Sequence, residues 1–194
     1  MKYFKITEQS EDDPPRWQLN PLLLPDGGKI IPGVLADNAE TYAFDQPLRA
    51  GIWSEWPGRR VSFTFAVFSI PILSEELALA VARLCPNDVQ LFPVTIQNVG
   101  EPHYVLNVFR SMPCVDETRT IIQRWTKEDA EGVGEPGKAG SYRMVIGLHI
   151  DPSKVGDAKI LRPSEWPIAL VCSEEVRDLL ERHEVTGVSF VPVT

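Results

Sequence analysis

Pro71-Ile72-Leu73-Ser74-Glu75-Glu76-Leu77 has a counterpart near the end of the chain, Leu170-Val171-Cys172-Ser173-Glu174-Glu175-Val176. Ser173 follows Ser74 by 99 positions, and the same offset places residues 89–94 on residues 188–193 without a gap. Each copy has the pattern of an apolar strand end, a Ser-Glu-Glu helix start, one helix and a strand that finishes in Pro-Val. The sequence therefore predicts a duplicated strand-helix-strand unit, at about 68–94 and 167–193. We expect the two units to pack as pseudo-equivalents, with each helix lying on one shared sheet.

The residues at the predicted helix starts are typical helix caps. The hydroxyls of Ser74 and Ser173 can accept a hydrogen bond from an unpaired amide of the first turn. Glu75 and Glu174 follow directly, where negative charge is favoured by the helix dipole. Two adjacent glutamates in each copy could also form a catalytic carboxylate pair. Neighbouring helical residues do not face each other, however, so we favour the capping role.

The composition indicates a folded, acidic chain. Its 194 residues are enough for one domain with a real core, or for one domain with an appendage. The net charge of −8 disfavours nonspecific binding to nucleic acid or to an anionic membrane, and it suits a basic partner. No apolar stretch approaches the length needed to span a bilayer. We therefore expect a protein partner, with no nucleic acid and no membrane.

The cysteines and the N-terminal residues indicate the compartment. Cys85, Cys114 and Cys172 are far apart and odd in number, which favours free thiols in a reducing environment. Residues 1–8 turn polar at once and contain no apolar signal core. We expect a cytoplasmic location.

Turn residues and apolar runs predict an α+β fold with few helices and a mainly antiparallel sheet. Residues 1–60 form a loop-rich N-terminal segment that we expect to pack on a main domain of residues 61–194. Apolar runs at 89–96 and 103–109 flank turn residues and predict a hairpin. Glycines and polar residues at 127–141 predict a flexible loop, and 142–150 predicts a central strand.

The residues present no convincing reaction centre. His103, His149 and His183 share no metal-ligand spacing with each other or with the cysteines, so we expect no metal and no cofactor. There is no Gly-x-Ser-x-Gly elbow. Cys114 lies close to Asp116 in sequence, which leaves a Cys-His site as an alternative to a buried structural thiol.

One short region has the composition of a contact surface. Trp53, Trp56, Arg59 and Arg60 are clustered among glycine and proline, and Trp and Arg are enriched at binding hot spots. The alternative, which we favour, is that the tryptophans anchor a loop on the core and the arginines pair with acids.

The chain from about residue 65 to 193 resembles the bacterial polymorphic-toxin immunity family numbered eleven. The resemblance covers about two thirds of the chain. The motifs that carry it are Pro71-Ile72-Leu73-Ser74-Glu75, Val89-Gln90-Leu91-Phe92-Pro93-Val94, Tyr104-Val105-Leu106-Asn107-Val108, Cys114-Val115-Asp116, Ile150-Asp151-Pro152-Ser153-Lys154-Val155-Gly156, Val171-Cys172-Ser173-Glu174, and the closing Thr186-Gly187-Val188-Ser189-Phe190-Val191-Pro192-Val193. The segment up to residue 60 is poorly matched, and 127–141 looks like an insertion.

The resemblance implies a small, non-catalytic cytoplasmic protein that binds and neutralises a toxin domain encoded nearby. It supplies no catalytic residues and no assigned toxin contacts. Two alternatives remain: a regulatory or scaffolding partner of a cellular or secretion-system protein, and an enzyme of unrecognised type built around Cys114, Asp116 and a histidine.

Overall fold

The computed structural model describes residues 1–9, 15–24, 26–30, 46–52, 58–67 and 69–194. The predicted α+β class is confirmed, with three α-helices and twelve strands in these residues. The helices are α1 (Glu75–Leu84), α2 (Lys127–Gly132) and α3 (Glu174–Arg182), with two short 3-10 helices at Pro136–Lys138 and Pro152–Lys154. The strands are β1 (Tyr3–Glu8), β2 (Leu48–Ala50), β3 (Phe63–Ala66), β4 (Ile70–Ser74), β5 (Val89–Ile96), β6 (His103–Val108), β7 (Ser111–Met112), β8 (Ile121–Arg124), β9 (Tyr142–Ile146), β10 (Ile160–Pro163), β11 (Leu170–Ser173) and β12 (Val188–Pro192).

The strands form two sheets of five strands and one ribbon of two. We call the sheet with strand order β2-β5-β6-β4-β3 the first sheet and the sheet with order β12-β1-β11-β10-β7 the second sheet; β8 and β9 form the ribbon. Paired strands run antiparallel, except that β2 is parallel to β5 and β7 is parallel to β10. The predictions of a mainly antiparallel arrangement and of a β5–β6 hairpin are confirmed.

The duplicated unit is confirmed, and each copy encloses a third strand. The first copy is β4-α1-β5, and β6 lies between its two strands; the second copy is β11-α3-β12, and β1 lies between its two strands. The enclosed strand is antiparallel to both neighbours, so the two strands of each copy run parallel to each other. A connection between parallel strands needs a crossover, which the helix provides.

The strand registers of the two copies are the same. Ser74, at the end of β4, lies opposite His103 at the start of β6. Ser173, at the end of β11, lies opposite Tyr3 at the start of β1. The equivalence continues along the strands, so β1 takes in the second sheet the place that β6 takes in the first. β1 therefore belongs to the main domain, and the predicted boundary near residue 60 does not separate it from the sheets.

The two copies also hold each other by equivalent contacts. The amide of Ser62, just before β3, donates to the hydroxyl of Thr186 over 3.0 Å. The amide of Lys159, just before β10, donates to the carboxylate of Asp88 over 2.9 Å. In each case the accepting side chain lies between the helix and the last strand of one copy. The donating amide lies just before the strand that comes immediately ahead of the other copy in the chain. The pair of copies is thus a pseudo-symmetric unit.

The helices α1 and α3 and one face of each five-stranded sheet form a single core. Leu77 and Val81 of α1 and Val176 and Leu180 of α3 are buried in it. We predicted from the sequence that both helices lie on one shared sheet, and this prediction is wrong. The strands of the two copies lie in different sheets, and the copies share the core instead.

The opposite face of each sheet is covered by a different part of the chain. Trp17 and Leu22 of the N-terminal region are fully buried against the first sheet. Cys114, Ile150 and Val155 are fully buried against the second sheet. Trp17 and Leu22 therefore join the N-terminal region to the first sheet.

Two local predictions are wrong. Residues 127–141 contain α2 rather than only a loop, because the hydroxyl of Thr126 caps the helix by accepting from the amide of Asp129 over 3.0 Å. Residues 142–150 do not form a central strand, since β9 ends at Ile146 and pairs only with β8 among the described strands. No helix in the described ranges is long and apolar enough to cross a membrane.

The two predicted caps differ in the structure. Ser173 is fully buried, and its hydroxyl accepts from the amide of Val176 over 3.4 Å. Ser74 occupies the N-cap position of α1, but its side chain makes no capping hydrogen bond. It is only half-buried, so water can satisfy its hydroxyl, whereas the buried hydroxyl of Ser173 needs a partner in the protein.

We therefore expect unequal costs when these caps are removed. Ser173→Ala should lower the free energy of unfolding by about 1 kcal/mol, and Ser74→Ala by only a few tenths. Denaturant unfolding followed by circular dichroism measures both. Equal losses in the two variants would contradict the assignment of a side-chain cap to α3 and not to α1.

The equivalence of β1 and β6 gives a second prediction. Ile6 of β1 and Leu106 of β6 are equivalent residues in the common core, and both are buried. Ile6→Ala and Leu106→Ala should each lower the free energy of unfolding by about 2–5 kcal/mol. Leu79→Ala, at a more exposed site on α1, is the control and should cost less. A small loss for Ile6→Ala would show that β1 is a dispensable addition.

Candidate protein-binding surface

The predicted contact cluster is described only in part. Trp53 and Trp56 lie outside the described residues. The carbonyl of Arg59 accepts from the amide of Trp17 over 2.9 Å, which joins this segment to the buried N-terminal region. Arg60 donates to the carboxylate of Glu101 over 3.2 Å, at the turn between β5 and β6. Arg60 therefore already has an acidic partner, and the contact role of the cluster stays a prediction.

The glutamates of the two helix starts do not converge on one site. Glu75 accepts from the hydroxyl of Tyr104 over 3.3 Å, and Glu174 lies 3.5 Å from Arg177. Glu76 lies 2.8 Å from His183, at the end of the other helix. Each carboxylate stands at a helix beginning and has its own partner. This arrangement fits helix capping and helix-helix contact rather than acid-base catalysis.

The three histidines lie in separate places. His103 is in β6, where its ring packs 5.8 Å from the ring of Trp17. His183 is the C-cap residue of α3. His149 precedes the bridge at Ile150, and its Nδ1 is buried without a hydrogen-bond partner in the described part of the chain. Across the same described residues, no group of three or more His, Cys, Asp or Glu side chains could hold a metal ion.

The backbone does bring Cys114, Asp116 and His149 near each other. The amide of Asp116 donates to the carbonyl of His149 over 2.9 Å. The thiol of Cys114 is fully buried, and this burial raises its pKa to about 12. The hydroxyl and amide of Thr118 bind the carboxylate of Asp116 and hold its pKa below the usual range. A neutral, buried thiol is a poor nucleophile, so this grouping does not have the properties of a Cys-His site.

A different part of the chain presents a surface. Residues 116–149 leave the second sheet and return to the same point, where Val115 and Ile150 form an antiparallel bridge. The amide of Asp151 donates to the carbonyl of Cys114 over 2.8 Å and closes the base. Between these ends the chain forms the ribbon and α2.

The ribbon is held in place through its inner face. Ile122 and Val145 pack against the core of the second sheet. Tyr142 is buried, and its hydroxyl donates to the carboxylate of Glu117 over 2.8 Å. Arg124 donates to both oxygens of the same carboxylate, each over 2.8 Å, and lies over the Tyr142 ring. The ribbon is therefore a fixed part of the fold.

A bulge decides which side chains face outward. Gln123 pairs with Met144, but the next residue, Arg124, pairs with Tyr142, so Arg143 is an extra residue in β9. Strict alternation would place Tyr142 on the same face as Met144. The extra residue turns Tyr142 inward and leaves Met144 outward.

The outer face of the ribbon is apolar and exposed. Ile121 and Ile146 lie directly opposite each other, and their side chains are 66% and 51% exposed. Met144, two residues along the same face, is 43% exposed. We call Ile121, Met144 and Ile146 the ribbon stripe. Single exposed apolar residues are common, whereas adjacent ones mark interaction sites.

α2 adds acidic residues beside this stripe. Arg143 donates to the carboxylate of Asp129 over 2.6 Å, which fastens α2 to β9. Glu128 and Glu131, also in α2, are exposed, and their carboxylates form no ion pair with the residues that the structure describes. The same helix contains the exposed base Lys127, so α2 carries a net negative charge of three acids against one base.

A groove of about 500 Å³ lies elsewhere, beside β1. Phe65 and Trp166 line it, and Ile168 is exposed at its edge. Arg162, fully buried in β10, donates to the carbonyl of Ser69, which lines the groove, over 2.8 Å, and to that of Pro167 over 2.7 Å. The groove is a well-supported feature of the fold, but its lining gives no indication of a particular ligand.

A model of the Imm11 immunity protein family matches residues 62–194. The chain belongs to this family. The region that matches the Imm11 family contains both copies of the repeated unit, the ribbon and α2, whereas β1 precedes it. The resemblance noted from the sequence is therefore confirmed. A search of the curated proteins finds no match.

Membership of the Imm11 family points to a protein partner, and the sequence analysis had not identified the ribbon stripe as a surface. The strands Ile121–Arg124 and Tyr142–Ile146 have apolar residues on both faces, so alternation alone does not show which face is exposed. The bulge at Arg143 has no clear signal in the sequence. The nearby Glu128 and Glu131 were visible only as part of a polar segment.

The cysteines give a prediction about chemical reactivity. Burial raises the pKa values of Cys85 and Cys114 to about 12 and raises that of Cys172 as well. A chromogenic aromatic disulfide at pH 8 should therefore react with none of the three thiols in the folded protein and with all three in denaturant. A thiol that reacts rapidly before unfolding would contradict this expectation.

The same pKa values determine how the thiols affect stability. Unfolded cysteines lose their protons near pH 8.5, while the folded state keeps them until about pH 12 for Cys85 and Cys114. The folded state binds more protons in this interval, so the thiol contribution to the free energy of unfolding is full below pH 8.5 and falls as the pH rises.

Proposed function

We propose that this chain is an immunity protein that binds and neutralises a cognate toxin in the cytoplasm of the cell that makes both. The match to the Imm11 immunity protein family over residues 62–194 carries this proposal. The action would be stoichiometric: the immunity protein covers part of the toxin and blocks its activity without transforming a substrate. We take the toxin to be encoded beside this chain.

The charge of the chain supports a particular mode of binding. Its net charge of −8 would attract a basic toxin domain at long range. Such attraction increases the association rate and weakens as salt is added. Fast capture suits a protein that must reach its toxin before the toxin reaches its target.

The fold is also suited to this role. Both sheets are covered on both faces, so the exposed surface features stand on a rigid support. Association then requires little ordering of the immunity protein, which lowers the entropic cost of binding. A binding role needs no reacting groups, and the thiols and helix-start glutamates described above have structural roles.

Co-expression with the protein encoded next door tests the proposal. Cells that express the neighbouring toxin domain should stop growing, and this chain should restore growth and co-purify with the toxin at a fixed stoichiometry. An unrelated acidic protein of similar size is the control for charge alone. Raising the salt concentration should slow association of the purified pair more than it changes dissociation.

Failure to restore growth, together with no complex in solution, would exclude the neighbouring protein as the cognate toxin and overturn the proposal for this pair. Recovery of a different, non-toxic protein as the stable partner would instead favour a regulatory or scaffolding role.

A further inference from the structure

The ribbon stripe contributes little to the stability of the fold. The inner face of the ribbon already packs on the second sheet through Ile122 and Val145. Ile121, Met144 and Ile146 point away from this contact and remain between 43% and 66% exposed. Three adjacent apolar side chains on a fixed surface would gain free energy from burial against another molecule.

The ribbon also has unused backbone edges. β8 and β9 form a sheet of two strands, so in the described part of the structure each pairs only with the other. An exposed strand edge can accept a further strand or an extended segment from a partner. Within the described residues, the ribbon therefore combines an apolar face with strand edges that pair with no further strand.

The charges beside the stripe indicate what kind of partner fits. Glu128 and Glu131 stand exposed on α2, the helix that Asp129 joins to Arg143 of the ribbon, and they outnumber the exposed Lys127 of the same helix; the whole chain carries a net charge of −8. A partner that covers the stripe would bring its own surface close to these carboxylates. Basic residues beside an apolar patch would satisfy both features, whereas an acidic partner would be repelled.

We propose that the ribbon stripe is the surface on which the toxin docks, and that the toxin presents an apolar patch bordered by basic residues. This inference rests on the proposed function. Ile121, Met144 and Ile146 form the centre of the interface, where desolvated apolar side chains contribute most to affinity. Glu128 and Glu131 lie at its rim, where charges mainly affect the association rate and the salt dependence.

A matched pair of variants tests the central part of the stripe. Ile121→Thr combined with Ile146→Thr removes apolar surface but keeps β-branched side chains in both strands. Val191→Thr is the control, because Val191 is 47% exposed in β12, on another surface. The double variant should bind the purified toxin domain about tenfold or more weakly and protect cells less, while the control should behave as wild type.

A second pair of variants tests the rim. Glu128→Lys combined with Glu131→Lys should slow association with the toxin domain and reduce its dependence on salt, with a smaller effect on dissociation. Glu184→Lys, at an exposed acid just after α3, changes the charge away from the ribbon and is the control. Circular dichroism and thermal unfolding confirm that each variant is folded.

The outcomes separate this inference from the proposed function. If wild type neither binds nor protects, the proposed function fails for that toxin. If wild type protects and the folded stripe variant binds with unchanged affinity, the toxin docks elsewhere and this inference is wrong. If light scattering shows a wild-type dimer that the stripe substitutions dissociate, with toxin affinity unchanged, the stripe binds a second copy instead, which also overturns the inference.

Discussion

The pairing of β1 between β11 and β12 is the interaction on which the rest of the structure depends. The two strands of the second copy run parallel and do not touch each other, so the amides and carbonyls on their facing edges need a strand between them. β6 satisfies the same requirement in the first copy, directly after β5 in the chain. Once both copies are complete, each presents an apolar face, and α1 and α3 fill the space between them in one core. The pseudo-symmetry is therefore a consequence of backbone pairing as much as of repeated sequence.

The sequence predicted the features that neighbouring residues determine. It did not predict the features that depend on pairing between strands far apart in the chain. The 99-residue offset and the Ser-Glu-Glu helix starts were enough to identify both copies, because strand ends, caps and helix faces are encoded within about twenty-five residues. No local sequence pattern shows that β1 pairs with β11 and β12, because this pairing depends on the space between those two strands in the second sheet. The helix at 127–132 was missed because its glycines and charges resemble a loop, whereas Thr126 and the ion pair between Asp129 and Arg143 stabilise it.

The candidate surface illustrates the same limit. Composition drew attention to the region of Trp53, Trp56, Arg59 and Arg60, since these residue types are common at interfaces. The structure shows an acidic partner for Arg60 and reveals another surface, in which one extra residue at Arg143 decides that Met144 faces outward and Tyr142 inward. A bulge of this kind follows from how the ribbon packs on the second sheet, so it becomes visible only once that sheet is known. Family membership points to a protein partner, and the ribbon stripe is the surface that we propose for it.

The place of β1 also has a consequence for synthesis. The ribosome makes β1 first, but its two neighbours are translated more than 160 residues later. The first sheet draws β3 to β6 from one continuous stretch and can assemble while β1 still has both edges open. Contacts between segments so far apart in the chain form slowly, and an open strand can pair with the wrong molecule in the meantime. The second sheet therefore cannot close around β1 until β11 and β12 have both been translated.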